Sequence, residues 1–290
     1  MAGLGKKTFT AGEVLTASDV NGYLMDQSIM VFGGTAARSS AIPSPSEGMM
    51  SYRTDDDVVE VFNGTDYVSV GGVAALKDAD ISGTTGSPGT ATYTDGGINY
   101  KAYSFTGTGS ITFTKQGLVD VLCVAGGGGI STLSSGGGAG GFIHKENYLV
   151  TATSITVTVG AGGAASNMGK NSVFDKLFSI GGGRADNGGS LNTAFGGSTG
   201  SNSANAANVP VTGQGNNGFQ GLGGGGGSGG AGGASAGGVG TSNSITGSAV
   251  TYATGGPKSG GAGAANTGNG SGGTAATAGG SGIVIIRVLA

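Results

Sequence analysis

The apolar positions near the end of the chain form a continuous run, Gly282–Val288, in which β-branched residues are interrupted only by Arg287. Such a run is typical of a strand buried on both faces of a sheet. Shorter apolar or alternating runs upstream predict its partners, which are Asn99–Phe105, Ser110–Phe113, Leu118–Ala125, Gly141–Tyr148, Ser154–Val159 and Ser172–Ile180. Because the closing strand needs these partners, we expect one fold to enclose the intervening residues 181–281.

The beginning of the chain has a helical pattern instead. Thr16 with Asp19 three residues later is an N-terminal capping signal, and the apolar spacing that follows predicts a helix to about Met30. Gly22 weakens this helix by about 1 kcal/mol relative to alanine, so we expect it to be stabilised by a partner. The apolar residues of this helix form one stripe along its surface, and we expect this stripe to attach or oligomerise the protein. The stripe consists of Val20, Tyr23, Leu24, Met30 and Val31.

Three short strands come next, at Met49–Arg53, Val58–Phe62 and Tyr67–Val70, and the Asn63-Gly64 turn favours a hairpin between the last two. A meander of this size is barely stable alone, so we expect a homotrimer. The following residues are rich in Gly, Ser, Thr and Ala. The pattern thus predicts an attachment and oligomerisation region at 1–72, a linker at 73–97 and a glycine-rich β domain at 98–290.

The high glycine content of the last domain allows several kinds of structure between its strands. Glycine supplies 68 of the 290 residues, and its runs lie between about residue 126 and residue 282. A flexible linker is one interpretation, and a collagen helix is another, but collagen needs abundant proline and the chain has five. A third is a set of three-residue-per-turn polyproline II helices whose glycine faces let backbones approach and pair. The closing strand favours this third arrangement.

The charge of the chain and its content of reactive residues argue against several classes of function. Charged residues make up 10% of the chain and the net charge is −3, which argues against a nucleic-acid partner. His144 is the single histidine and Cys123 the single cysteine, so histidine-based triads, metal sites and a disulfide framework lack material. No stretch has the ~18 apolar residues of a membrane span. We therefore expect a binding protein, not an enzyme, with no cofactor, no metal and no membrane insertion.

Four motifs occur in a fixed order, at Leu118–Gly129, Gly136–Phe142, Val157–Gly163 and Gly279–Val288. Together they resemble the glycine-rich domain of bacteriophage tail-fibre and receptor-binding proteins, over residues 98–290. The resemblance implies a mainly β fold: a jelly-roll-like β-sandwich with inserted polyglycine II helices, preceded here by a short N-terminal helix and a small β-meander. The segments 9–21 and 59–68 also resemble virion tail proteins.

This resemblance implies a bacteriophage virion structural protein, a tail fibre or adhesin, that contacts a glycan or an outer-membrane protein of the host. We expect the N-terminal region to bind other virion proteins. Because the start of the chain lacks the apolar core of a secretion signal, we expect synthesis in the host cytoplasm and a final place on the virion exterior. The alternatives are a capsid decoration or head-fibre protein without a receptor, an extracellular signalling-receptor module and a depolymerase.

A polyglycine bundle offers few side chains, so its specificity must come from inserts between its helices. The inserts Ser201–Phe219 and Thr241–Thr254 carry apolar and aromatic groups. The candidate receptor-binding residues are Phe219, Ile245, Val250, Tyr252, Val209 and Val211, with Tyr252 first because a tyrosine suits a half-wet site. The alternative is that these side chains plug gaps in the fold or bury a subunit contact, which is favoured for Val209 and Val211.

Overall fold

A computed structural model describes residues 10–20 (except 11 and 15), 29–70, 79–131, 134–185, 195–201 and 209–290. The chain divides into two compact units, Met1–Lys77 and Asp78–Ala290. Both are mainly β, and the second contains two antiparallel five-stranded sheets, so the expected mainly β, sandwich-like fold is confirmed. No helix in the described ranges is long and apolar enough to cross a membrane.

The N-terminal unit contains a four-stranded sheet in which strands follow one another in chain order. The first strand runs parallel to the second, and the other pairs are antiparallel. Its elements are α1 (Ala17–Asp19), β1 (Ile29–Phe32), α2 (Thr35–Ala41), β2 (Met50–Arg53), β3 (Val58–Phe62) and β4 (Tyr67–Ser69). The predicted meander is confirmed with ends that differ by one residue at most.

The structure corrects the predicted N-terminal helix. It begins at Ala17, directly after Thr16 as expected, but Met30 and Val31 lie in β1. The apolar residues of β1 pair with Met50–Arg53, and this sheet contact overrides the helical spacing. Val20 is half-buried after α1, and Tyr23 and Leu24 lie outside the described residues.

The second unit holds the remaining strands. In chain order they are β5 (Ile81–Thr85), β6 (Gly89–Asp95), β7 (Ile98–Phe105), β8 (Gly109–Phe113), β9 (Gly117–Val124), β10 (Ser135–Gly136), β11 (Phe142–Val150), β12 (Ser154–Thr158), β13 (Ser172–Phe174), β14 (Leu177–Ser179), β15 (Phe195–Gly196), β16 (Val209–Pro210), β17 (Thr241–Asn243), β18 (Val250–Tyr252), β19 (Gly272–Gly273) and β20 (Ile283–Leu289). Strands β5 and β6 fall where a linker was predicted, so that prediction is corrected: the second unit begins at Asp78.

The two large sheets have the orders β11-β9-β20-β7-β6 and β14-β13-β12-β8-β5. The closing strand β20 lies between β9 and β7, so it pairs with upstream strands as predicted. Its side chains alternate: Val284 and Ile286 enter a core shared with the second sheet, whereas Ile283 and Ile285 enter a second core with Tyr252. Burial on both faces explains why this strand is apolar throughout.

The glycine segments between the strands hydrogen-bond to their neighbours. Along residues 125–130, successive backbone N–H groups point to three different segments, and every third group points to the same segment. The acceptors, in order, are the carbonyl oxygens of Gly141, Lys170, Gly280, Gly138, Asn167 and Thr277, at 2.8 to 3.0 Å. A period of three residues without internal hydrogen bonds is that of a polyproline II helix.

The next segment, residues 136–141, repeats this pattern toward three other neighbours. Its acceptors are the carbonyl oxygens of Gly223, Ser271, Gly183, Gly226, Gly268 and Ile180, at 2.7 to 2.9 Å. Glycine is required because the backbones touch: a Cβ at Gly127 would lie 2.1 Å from the carbonyl oxygen of Asn269. The segments therefore form a packed bundle of polyproline II-type helices, which we call the glycine bundle.

Candidate functional site

A cleft lies where the edge strands of the two large sheets meet. Strand β11 ends the first sheet, β14 ends the second, and the loop at Gly213–Gln214 closes one side. Its volume is about 570 Å³, within the range of small-molecule sites. We call it the Phe178 cleft; its lining residues are Phe142, Ile143, His144, Lys145, Lys176, Leu177, Phe178, Gly213 and Gln214.

The register of a short hairpin aims Phe178 outward. Phe174 pairs with Leu177, which packs on the sandwich core, so the neighbouring Phe178 points the other way and is 55% exposed. The turn is held by Asp175, whose carboxylate accepts a 2.5 Å hydrogen bond from the Tyr148 hydroxyl. Burial, followed by this hydrogen bond, raises the pKa of Tyr148. An exposed aromatic ring therefore stands on a fixed backbone.

Gln214 fixes the opposite wall of the cleft. Its Oε1 accepts a hydrogen bond from the Ile180 N–H, and its Nε2 donates one to the Phe178 carbonyl oxygen, both at 2.9 Å. Its backbone carbonyl accepts the N–H of Phe142 at 3.0 Å. Because its amide is engaged on both sides, Gln214 is a structural part of the wall and not a free ligand-binding group.

The exposed groups left for a ligand are one aromatic ring and two lysine side chains. Lys145 and Lys176 are exposed, and the buried Nε2 of His144 has no hydrogen-bond partner among the described residues. Each lysine has an acidic neighbour in sequence, Glu146 or Asp175, so the cleft is not strongly charged. An apolar ring beside a few polar donors suits a ligand that has both apolar and polar faces.

The short strands β15 and β16 carry a second set of exposed apolar side chains. Phe195 and Val209 pair in parallel, and about half of each side chain is exposed. Val211 donates its N–H to the carbonyl oxygen of Gly196 and is half-buried. Val209 thus remains a surface candidate, and Phe195 joins it although the sequence analysis did not select it.

The structure corrects two predicted contact residues. Ile245 is 2% and Tyr252 is 4% exposed, and both pack in the second core against the first sheet. Burial also raises the pKa of Tyr252. Side chains that are buried in this way cannot meet a partner, so we remove both from the candidate set.

The other two candidates remain at the surface but lie apart from the cleft. Val250 is 36% exposed in β18, where it pairs with Asn243. Phe219 is half-buried and hydrogen-bonds through its N–H to Gly224. The structure does not bring the predicted residues into one site.

A larger open cleft of about 1040 Å³ lies along one side of the glycine bundle, lined by residues 161–164 and 167–171 and by Arg184. Its polar side chains are partly engaged: Asn171 Oδ1 accepts the Gly181 N–H at 2.9 Å, and Arg184 donates to the Ser166 carbonyl at 3.3 Å. Much of the remaining wall is glycine and alanine. We therefore favour the Phe178 cleft as the candidate binding site.

The residues that the structure describes contain no group of three or more His, Cys, Asp or Glu side chains that could hold a metal ion. Burial raises the pKa of the Cys123 thiol to about 12, so this side chain is an inert part of the core.

A family model described as a glycine-rich domain matches residues 103–289, which is more than half of the chain. A comparison with curated proteins gave no significant match. The matched range begins within β7 and ends with β20, so it includes most of the sandwich and the whole glycine bundle.

Proposed function

Because the chain belongs to the glycine-rich domain family, we propose that it is a bacteriophage virion protein, a tail fibre or receptor-binding adhesin, that contacts the host cell surface. The support for a phage protein is the order of motifs along residues 98–290 and the likeness of the N-terminal segments to virion tail proteins. Fold and composition alone do not determine function, so the proposal depends on the binding surface.

The observation that carries the proposal is the Phe178 cleft. The cleft is built on paired strands and on the loop that Gln214 fastens by hydrogen bonds, and such a frame loses little entropy when a ligand binds. On that frame the cleft presents an exposed aromatic ring next to His144, Lys145 and Lys176. We assign a host-surface glycan to it, because a sugar has apolar ring faces and many hydroxyl groups.

The proposal also assigns partners and location. The N-terminal unit joins other virion proteins and holds a homotrimer, and the glycine-rich unit is displayed outward from the virion. Three copies of a weak glycan site give avidity without any new contact, because the second binding event becomes intramolecular. No catalytic step and no cofactor is part of this function.

The test compares Phe178→Ala with the matched variant Val239→Ala. Val239 is 63% exposed and lies outside the cleft. Labelled full-length protein is applied to susceptible cells and to purified lipopolysaccharide from them. We expect Phe178→Ala to weaken binding at least tenfold with an unchanged Tm, and Val239→Ala to bind like the unsubstituted protein.

Other outcomes separate the alternatives. Binding to cells that is lost after protease treatment, with none to lipopolysaccharide, would replace the glycan by an outer-membrane protein. Cells that bind neither variant nor the unsubstituted protein would favour a capsid decoration or head-fibre protein. If cells bind Phe178→Ala normally, the assignment of the cleft is wrong.

A further inference from the structure

The N-terminal sheet has one face made of apolar and aromatic side chains. Residues that pair across adjacent strands point to the same side, and side chains alternate along each strand. This register, extended by the hydrogen bond from the Val70 N–H to the Val59 carbonyl, places Ile29, Val31, Met50, Tyr52, Val59, Val61, Val68 and Val70 on one side. We call this set the apolar face.

The charged groups lie on the opposite face. Glu60 is 7% exposed and forms ion pairs with Arg38 of α2 and, at 3.2 Å, with Arg53. The Arg38 guanidinium also lies 3.8 Å from the centre of the Tyr67 ring. Helix α2 therefore covers the face that holds the buried polar residues.

The apolar face is exposed most strongly at its two edges. Val31 is 65% and Ile29 is 52% exposed, and Val68 and Val70 at the other edge are more than 40% exposed. A contiguous apolar patch of this kind marks an interaction surface. A single sheet layer also needs a second layer to bury its apolar side, and a unit this small has little other core.

The lack of charge on the apolar face indicates what kind of partner it binds. None of its side chains is charged, and its one polar group, the Tyr52 hydroxyl, donates a 2.7 Å hydrogen bond to Asp57 at the adjacent turn. A partner with a charged surface would find no complementary group here. A second copy of the same face is uncharged and apolar, and it is present at equal concentration.

We propose that the apolar face is the surface through which three copies of this chain associate, with the three faces meeting around the threefold axis of the homotrimer. Sheet faces bury their apolar side chains against one another when they pack, and closed symmetric oligomers reuse one patch in every copy. The inference deepens the assembly part of the proposed function and rests on it. It does not depend on what the Phe178 cleft binds.

Cysteine cross-linking in the full chain tests the proposal. The native Cys123 is buried and does not react, so an introduced cysteine is the one reactive thiol. Val31→Cys and Val68→Cys, at opposite edges of the face, are treated with a flexible bismaleimide. We expect covalent dimers on denaturing gels from both, and at least tenfold less from the control Val239→Cys, although Val239 is as exposed as Val31 and more exposed than Val68. Equal cross-linking of all three variants would overturn the proposal.

The mass in solution is the second measurement. The unsubstituted chain should sediment as an oligomer, and Val31→Asp should weaken association at least 100-fold, because each copy then brings a charge into the interface. Val239→Asp should leave the mass unchanged. A monomer of the unsubstituted chain at all concentrations overturns the proposal even if Val31→Asp does not fold. Cell binding through Phe178 is measured separately, so failure of one proposal is distinguishable from failure of the other.

Discussion

The β-sandwich and the glycine bundle are parts of one domain, yet different atoms stabilise them. In the sandwich, side chains such as Phe174 and Ile286 fill the space between two sheets. In the bundle, backbones lie in direct contact, and all the N–H groups of residues 125–130 and 136–141 are paired with neighbouring segments. Removing side-chain atoms from the core should therefore destabilise the sandwich, whereas adding side-chain atoms to the glycines should destabilise the bundle.

The largest expected effect comes from a substitution in the core of the β-sandwich. Phe174 is fully buried, and Phe174→Ala removes a ring from the core, so we expect a loss of about 4 kcal/mol in the free energy of unfolding. Phe178, four residues later and 55% exposed, is the matched control, and Phe178→Ala should cost less than about 0.5 kcal/mol. Urea denaturation of both variants measures the difference; equal losses would mean that the hairpin register is not as described.

A smaller effect tests the bundle. Gly127→Ala adds one methyl group 2.1 Å from the Asn269 carbonyl oxygen, so two backbone segments must separate, and we expect a loss of about 3 kcal/mol. A Cβ at Gly261 would meet nothing within 4 Å, so Gly261→Ala is the control and should be neutral or slightly stabilising. Thermal unfolding checks both; an unaffected Gly127→Ala protein would contradict close backbone packing.

The sequence predicts best where apolar side chains decide the structure. Strands such as β9 and β20 were placed within one or two residues because their runs are continuous. Strands β5 and β6 were mistaken for a linker because each is the edge of a sheet, so few of their side chains are buried. Their Gly, Ser and Thr content carries no apolar signal.

The site was harder to predict because exposure depends on long-range contacts. Tyr252 looked suitable for a receptor, but the hairpin that holds it folds back on the first sheet, where the Tyr93 hydroxyl donates a 2.8 Å hydrogen bond to the Ile245 carbonyl. Phe178 lies in the segment Ser172–Ile180 that was predicted as one strand, and the sequence does not show which of its side chains face outward. Only the pairing of Phe174 with Leu177 reveals that Phe178 points outward.

The last prediction tests the packing of the glycine bundle without any substitution. Hydrogen exchange separates a packed bundle from a flexible linker, because the N–H groups of Gly225 and Gly226 are buried and donate to the carbonyls of Gly256 and Thr199 at 2.9 Å. We expect these amides to exchange roughly a thousandfold more slowly than an unstructured glycine peptide, an opening free energy of about 4 kcal/mol. The exposed glycines at 260–261 are the internal reference, and they should exchange fast. Uniformly fast exchange over residues 223–238 would mean that the glycine runs behave as a flexible linker and not as a packed bundle.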